Sequence, residues 1–354
     1  AGVIHRTPGL PAPRISADLQ FHGRIAALDY PIPVQDVYIS ARSGPRGSIE
    51  INHLTAEIGE GPARSHISAG GTIDPERRVF ELFFASPVIE VDNALLACIP
   101  QVPPALLHAA KIDGRISING ELAHAGGDSL LTVRAALSDF NVVPVNFSAV
   151  ALKSLSGSVQ VTQKRLQVAG LQARALDGQI RLDCDVSYLP DNSSFNASLL
   201  LRELDLSGIA GLARRDLSGI LSGEIRFEGD RPALPALKAH GRISLRDGRL
   251  LELPVLVSVI NFLNLQLPGK VVFRSASVRF RLLDELVHID RLELDSDVLT
   301  VYAKGSIGLD GRLKLRVGVG YRRPMLQRIP LVGPVLSAIA SYVRRALTTL
   351  DVTG

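Results

Sequence analysis

The chain has 354 residues, of which 46% are hydrophobic, with mean hydropathy +0.20, net charge +4 and a sequence pI of about 9.2. That length supports two or three compact domains or one elongated one. With no Trp, one Met and two Cys, the composition excludes an aromatic stacking platform for single-stranded nucleic acid, a disulfide framework and a cysteine metal site.

In chain order, the first fifteen residues, with Pro8, Pro11 and Pro13, read as an irregular lead-in. Strands follow at 15–25, 34–40, 48–58, 66–73 and 79–85, separated by short Gly and Pro clusters as a meander requires. The segment 92–110 differs. Asp92 suits a helix cap, Pro100 ends that helix, and Pro103-Pro104 starts another through Leu106 and Leu107.

From residue 111 a phrase recurs: a small polar residue, a glycine, then a strand with one apolar face. It is seen at Asp113-Gly114, Ser156-Gly157, Asp177-Gly178 and Ser222-Gly223. Turn chemistry followed by period-two alternation predicts antiparallel β-structure. Cys184 falls in the apolar phase with Ile180, Leu182 and Val186, which predicts a buried free thiol. A small helix or turn is expected at 204–213, strands at 222–228 and 239–245, and a tight turn at Arg246-Asp247-Gly248-Arg249.

The run 255–263 is apolar almost all round and fits either a buried helix or a strand. The cleanest alternation comes next. Val278, Phe280 and Leu282 oppose Arg279 and Arg281; Leu292 and Leu294 oppose Arg291 and Glu293; Leu313, Leu315 and Val317 oppose Lys314 and Arg316. Pro334 then opens a helical pattern in which Val335, Leu336, Ile339, Tyr342, Val343 and Leu347 share a face. Such a stripe suits core packing, a membrane surface or a partner.

No chemistry emerges. The eight histidines make no HxH or HExxH pair, the glycine pairs lead into no phosphate-binding helix, and no carboxylate pair stands out, so the chain reads as a non-enzyme without cofactor or metal. Basic residues are scattered singly on the polar phase of strands, which indicates a solvated face and no nucleic-acid partner. The sequons at Asn146, Asn192 and Asn196 carry little weight. A one-sided sheet must hide its dry face, and the helices are too few to cover about twenty strands, which leaves a sandwich or a curled gutter. Twenty strands at ~4.8 Å span about 90 Å, long for a closed barrel.

The segment Gly241-Arg242-Ile243-Ser244-Leu245-Arg246-Asp247-Gly248-Arg249-Leu250, the apolar run through Leu263, and Ile329-Pro330-Leu331-Val332-Gly333-Pro334-Val335-Leu336 resemble the C-terminal region of the AsmA-like superfamily, which includes the TamB and YhdP groups. The resemblance covers 239–354 and is more generic upstream. It implies a mainly β fold, an elongated, curled antiparallel sheet forming a U-shaped groove with a few short helices. It divides the chain into a groove segment 1–110 ending in the helical interruption, a segment 111–238 with Gly-led strands, and a C-terminal region 239–354 closed by the amphipathic helix. It further implies a periplasmic protein of a diderm envelope, moving phospholipid between inner and outer membranes and supporting outer-membrane integrity. The alternative is a scaffold for outer-membrane protein assembly by strand addition. Because the chain opens at Ala1 without Met, it reads as a piece of a longer protein whose inner-membrane anchor precedes it.

A groove for lipid needs an aliphatic floor. The alternation assigns it to Ile116, Ile118, Ile180, Leu182, Ile225, Phe227, Val278, Phe280, Leu282, Leu292, Leu294, Leu313, Leu315 and Val317. Phospholipid acyl chains are the expected ligand, with a membrane surface or outer-membrane partner at the C-terminal end.

Overall fold

A computed structural model describes residues 2–6, 15–27, 30–44, 47–58, 65–97, 104–125, 128–145, 150–189, 192–209, 217–230, 237–250, 273–297, 299–308, 312–321 and 350–353. Cys98, the run 255–263 and the stripe Val335, Leu336, Ile339, Tyr342, Val343 and Leu347 lie outside them. The fold is mainly β, antiparallel, with a few short helices.

Two compact units are present. The first comprises Ala1–Ala173 with Asp183–Pro190, the second Arg174–Leu182 with Asp191–Gly354. The first unit is built from β1 (Gly2–Arg6), β2 (Ile15–Ala27), β3 (Tyr30–Ser43), β4 (Ile49–Ile58), β5 (Ser65–Asp74), β6 (Val79–Asp92), α1 (Asn93–Ala97), α2 (Pro104–Ala109), β7 (Ala110–Ala125), β8 (Asp128–Pro144), β9 (Leu152–Thr162) and most of β10 (Arg165–Ala175). From β1 to β9 each strand pairs antiparallel with the next. The strand β11 (Gly178–Leu189) contributes its first half to the second unit. That unit continues with β12 (Asn192–Asp205), β13 (Leu217–Gly229), β14 (Lys238–Leu250), β15 (Phe273–Leu283), β16 (Leu286–Ser296), β17 (Leu299–Gly308), β18 (Leu313–Tyr321) and β19 (Leu350–Thr353), again paired in chain order. Neither ladder closes on itself into a barrel.

Local chemistry explains the connections. Leu176 and Asp177 both take positive φ, 49° and 58°, between β10 and β11, and Asp284 and Glu285 do the same between β15 and β16. Two consecutive left-handed residues give the turn whose twist matches that of the flanking strands. The Asp92 carboxylate accepts from Leu95 N–H at 2.8 Å and caps α1, and Pro104 opens α2, where its missing N–H costs nothing. Asn93 then ties both helices to the sheet. Its amide donates to the carbonyls of Leu107 and Ala110, both at 3.0 Å, and its Oδ1 accepts from Ile112 N–H at 2.7 Å. A short 3-10 turn at Leu206–Gly208, capped by Asp205, ends β12.

Most of the glycine-led phrases are not turns. Only Gly178 follows one; Gly114, Gly157 and Gly223 lie inside β7, β9 and β13. Glycine serves there as a site of close approach. A Cβ on Gly114 would stand 2.4 Å from the Phe140 ring, which lies across that position. Likewise Arg246-Asp247-Gly248-Arg249 is not a turn but part of β14, where the ladder slips between Ser218 and Ile220 of β13. Cys184 is a free thiol as expected, but half-buried rather than buried. Burial first, then the charge of Asp185, pushes its pKa up, so it is a poor nucleophile.

The strands slip repeatedly, and in one way. In β4 the positions on the apolar face run Ile51 then Leu54, in β6 the buried Ser86 then Ile89, in β8 Leu137 then Phe140, in β12 Leu201 then Leu204, and in β16 Ile289 then Leu292. Each time the partner strand advances by only two. These are β-bulges. Each inserts one residue, so the step of three on one strand keeps the same face as the step of two on the other. Acidic residues sit at the left-handed positions several bulges require: Asp139 at φ 54° and Glu203 at φ 54°. Asp139 forms an ion pair with Arg115 on β7, and Glu203 accepts from Arg246 of β14 at 3.0 Å.

Replacing Asp139 with Val should cost about 1–3 kcal/mol, because a β-branched residue is strained at φ 54°, whereas Asp139→Gly should be close to neutral. Urea unfolding of the two variants checks the difference. Equal losses would place the effect in the exposed ion pair rather than in the backbone.

Candidate functional site

The bulged ladders align apolar side chains in rows across each unit. In the second unit one row runs Leu199, Ile225, Gly241, Phe280, Ile289, Gly305, Leu315 from β12 to β18. The next runs Leu201, Gly223, Ile243, Val278, Leu292, Ala303, Val317, and a third Ala197, Phe227, Ala239, Leu282, Val287, Ile307. A fourth passes from Leu204 through Leu221, Leu245, Ala276 and Leu294 to Val301. Residues directly opposite in antiparallel strands point to one face, so these rows form a single apolar surface.

The first unit repeats the arrangement. Ile39, Leu54, Ala69, Phe84, Gly120, Val133 and Val161 form one row from β3 to β9. Ser86, Ile118, Ala135 and Val159 form the next, and Ile89, Ile116, Leu137 and Gly157 the third. The Phe84 ring lies over Gly120, where a Cβ would be 2.2 Å from the ring tip. A ring laid over glycine restores the apolar cover that the missing side chain withholds.

The structure therefore brings Ile225, Phe227, Val278, Phe280, Leu282, Leu292, Leu294, Leu315 and Val317 onto one face of the second unit, and Ile116 and Ile118 onto one face of the first. Leu313 pairs in register with Ile307. Ile180 and Leu182 occupy alternate, half-buried positions of β11. Reading the sequence missed Val287, Ile289, Val301 and Ala303, as well as Leu137 and Phe140. A strict alternation cannot place Val287 and Ile289 on the face of Leu292 and Leu294; the i, i+3 step across Asp290-Arg291 is the signal that does.

Burial across this surface is graded. Leu294, Val301, Leu315 and Val317 are each 3% exposed and Phe273 1%, whereas Ile225, Phe227, Val278, Phe280, Leu282 and Leu292 are half-buried. The packed core thus spans β14–β18 through Leu245, Phe273, Leu294, Val301 and Leu315, and the row through Phe227, Leu282, Val287 and Ile307 is the more open part. Polar atoms do not interrupt it. Ser86, 1% exposed, donates to the His66 carbonyl at 2.5 Å, and among the described residues no buried side-chain nitrogen or oxygen lacks a partner.

The opposite face is charged. Arg165 chelates Asp185 through Nε at 2.9 and 3.1 Å, and Arg281 binds Asp290 through Nε at 3.2 and 3.1 Å and through its terminal nitrogen at 2.7 Å. Hydrogen bonding from each arginine, opposed by some desolvation and helped by its charge, holds both carboxyls below the usual Asp value. Among the described residues no cluster of His, Cys, Asp and Glu could hold a metal ion. No family model, curated protein or solved structure matches the chain.

Two measurements follow. Leu315→Ala should cost about 2–5 kcal/mol and Ile225→Ala distinctly less, because only the first empties packed core; urea unfolding of the pair reads the gradient. Because the Asp290 pKa is depressed on folding, its contribution is present above the ordinary value of 3.8 and is lost as pH falls through the folded value. Asp290→Asn should therefore lower the thermal midpoint slightly at neutral pH, and the difference from wild type should vanish once the pH has fallen through the folded value of Asp290. A difference that persists there would assign the loss to something other than the carboxylate charge.

Proposed function

We propose that this chain is part of an AsmA-like lipid conduit of the diderm envelope. In this reading it carries phospholipid acyl chains along its apolar face between the inner and outer membranes, in the periplasm, and so supports outer-membrane integrity. The observation that carries the proposal is the set of mostly aliphatic cross-strand rows in each unit, with an accessible stretch at Ile225, Phe227, Val278, Phe280 and Leu282. Burying a CH₂ group gains roughly 0.8 kcal/mol, so a sixteen-carbon tail faces a barrier of about 12 kcal/mol on entering water. A surface of Ile, Val, Leu and Phe without polar interruption removes that barrier. Being nearly uniform, it also lets the tail slide without a deep trap. No helix among the described residues is long and apolar enough to cross a membrane. The stripe from Val335 to Leu347 is the membrane or partner contact of this reading.

The test is native mass spectrometry and lipid extraction of the purified chain. Co-purified phospholipid is expected, and Phe280→Asp should reduce its occupancy several-fold, because a carboxylate in the floor must be desolvated when a tail covers it. A folded wild-type chain that carries no phospholipid, or a Phe280→Asp chain with undiminished occupancy, would sink the conduit.

A further inference from the structure

Cations stand directly opposite one another on the outer face of the second unit. Arg242 of β14 pairs in register with Arg279 of β15, and Arg279 with Arg291 of β16. Lys304 of β17 pairs with Arg316 of β18. A neighbouring row runs His240, Arg281, His288, Ser306, Lys314. All these arginines and lysines are exposed. Like charges directly opposite in a sheet are destabilising, so the fold bears a cost here that its own contacts do not remove. Arg281 and Arg291 are matched by Asp290 and Glu293, whereas Arg242, Arg279, Lys304, Lys314 and Arg316 form no salt bridge with a described residue. Asp290 still feels Arg279, Glu224 stands in register opposite Arg242 and Asp351 opposite Arg316, but these carboxylates together with Glu293 are fewer than the seven arginines and lysines of these rows.

The surface is dished rather than flat. A shallow basin of about 450 Å³, lined by Arg281, His288, Lys304, Lys314 and Arg316, adjoins a second of about 440 Å³ that holds Arg242 and Arg279 together with Glu224 and Phe280; the Arg281–Asp290 pair borders both. We propose that the outer face of β14–β18 is a docking surface for a bilayer bearing anionic phospholipid headgroups. Guanidinium forks and ammonium groups suit phosphate oxygens, and an anionic layer relieves the repulsion that the ladder builds in. The array favours a lipid surface over a linear polyanion because it extends in two directions, at ~4.8 Å across strands and ~7 Å along them. Its aromatic content, Tyr302 beside Arg291, is too small for base stacking. The inference concerns the face opposite the apolar rows and does not depend on the conduit reading.

The experiment is co-sedimentation of the chain with vesicles of phosphatidylcholine alone and of phosphatidylcholine with about one-third phosphatidylglycerol. Binding should be at least tenfold stronger to the anionic vesicles and should collapse at about 1 M salt, where the screening length is ~3 Å. The triple variant Lys304→Gln, Lys314→Gln, Arg316→Gln should lose about a hundredfold in partitioning while keeping its urea midpoint. Equal binding to both vesicles, salt-independent binding, or a folded triple variant that still prefers anionic vesicles would overturn the proposal. So would tight binding of inorganic polyphosphate or an oligonucleotide without vesicle binding. If the triple variant does not fold, Lys304→Gln alone and the salt dependence of the wild type decide the matter.

Discussion

Everything in this fold depends on keeping one face of a long antiparallel ladder dry while its strands bend. Side chains alternate with a period of two, so a one-residue slip would carry every following apolar side chain to the wet face. The bulges resolve this. At Asn52-His53, Pro87-Val88, Ser138-Asp139, Arg202-Glu203 and Asp290-Arg291, two residues occupy the space of one, and the apolar series resumes three positions on, facing the same way. A bulge also bends its strand and increases its twist, so the device that protects the dry face is the device that curves the ladder. Acidic residues suit these sites because Asp tolerates a left-handed backbone and its carboxylate can reach a basic side chain on the next strand, as Asp139 reaches Arg115.

That constraint explains what was legible in the sequence and what was not. Between bulges the alternation is plain, so the strand at 15–25, the helical interruption after Asp92 and the opposition of Val278, Phe280 and Leu282 to Arg279 and Arg281 could be read directly. Across a bulge the reading fails, because Val287 and Ile289 look like the outward phase once Leu292 and Leu294 are assigned inward. The glycine-led phrase misleads for a related reason. Asp or Ser before Gly is turn chemistry, yet at Gly114 the glycine makes room for the Phe140 ring across the strand, a long-range packing demand that no local window contains. Gly178, with Leu176 and Asp177 in the left-handed region, shows that the same letters do make a turn where the backbone supplies it.

The two faces obey different economies. On the dry face, each side chain gains by joining its cross-strand neighbour, and the few polar groups, such as Ser86, are satisfied by a carbonyl within reach. On the wet face between β14 and β18, neighbouring charges repel. Solvent screening keeps that repulsion small, and this is why a sheet can carry Arg242, Arg279 and Arg291 in one row without losing its fold. A surface whose cations outnumber the carboxylates among them is one whose energy falls when further counter-charge arrives.

The graded burial of the apolar rows bears on how a tail would travel. Leu315 and Val317 are closed to solvent, and a ligand there would have to displace packed neighbours at the cost of their contacts, whereas Phe227, Phe280 and Leu282 are half-open and need no such exchange. Transport along this unit would therefore use the half-open positions Phe227, Leu282 and Val287 as floor, while Leu245, Phe273, Leu294 and Val301, buried on β14 to β17, hold those strands together. Core and accessible surface divide along the strands and not between them: Phe273 and Val301 are buried, whereas Leu282 of β15 and Ile307 of β17, on the same two strands, are half-open.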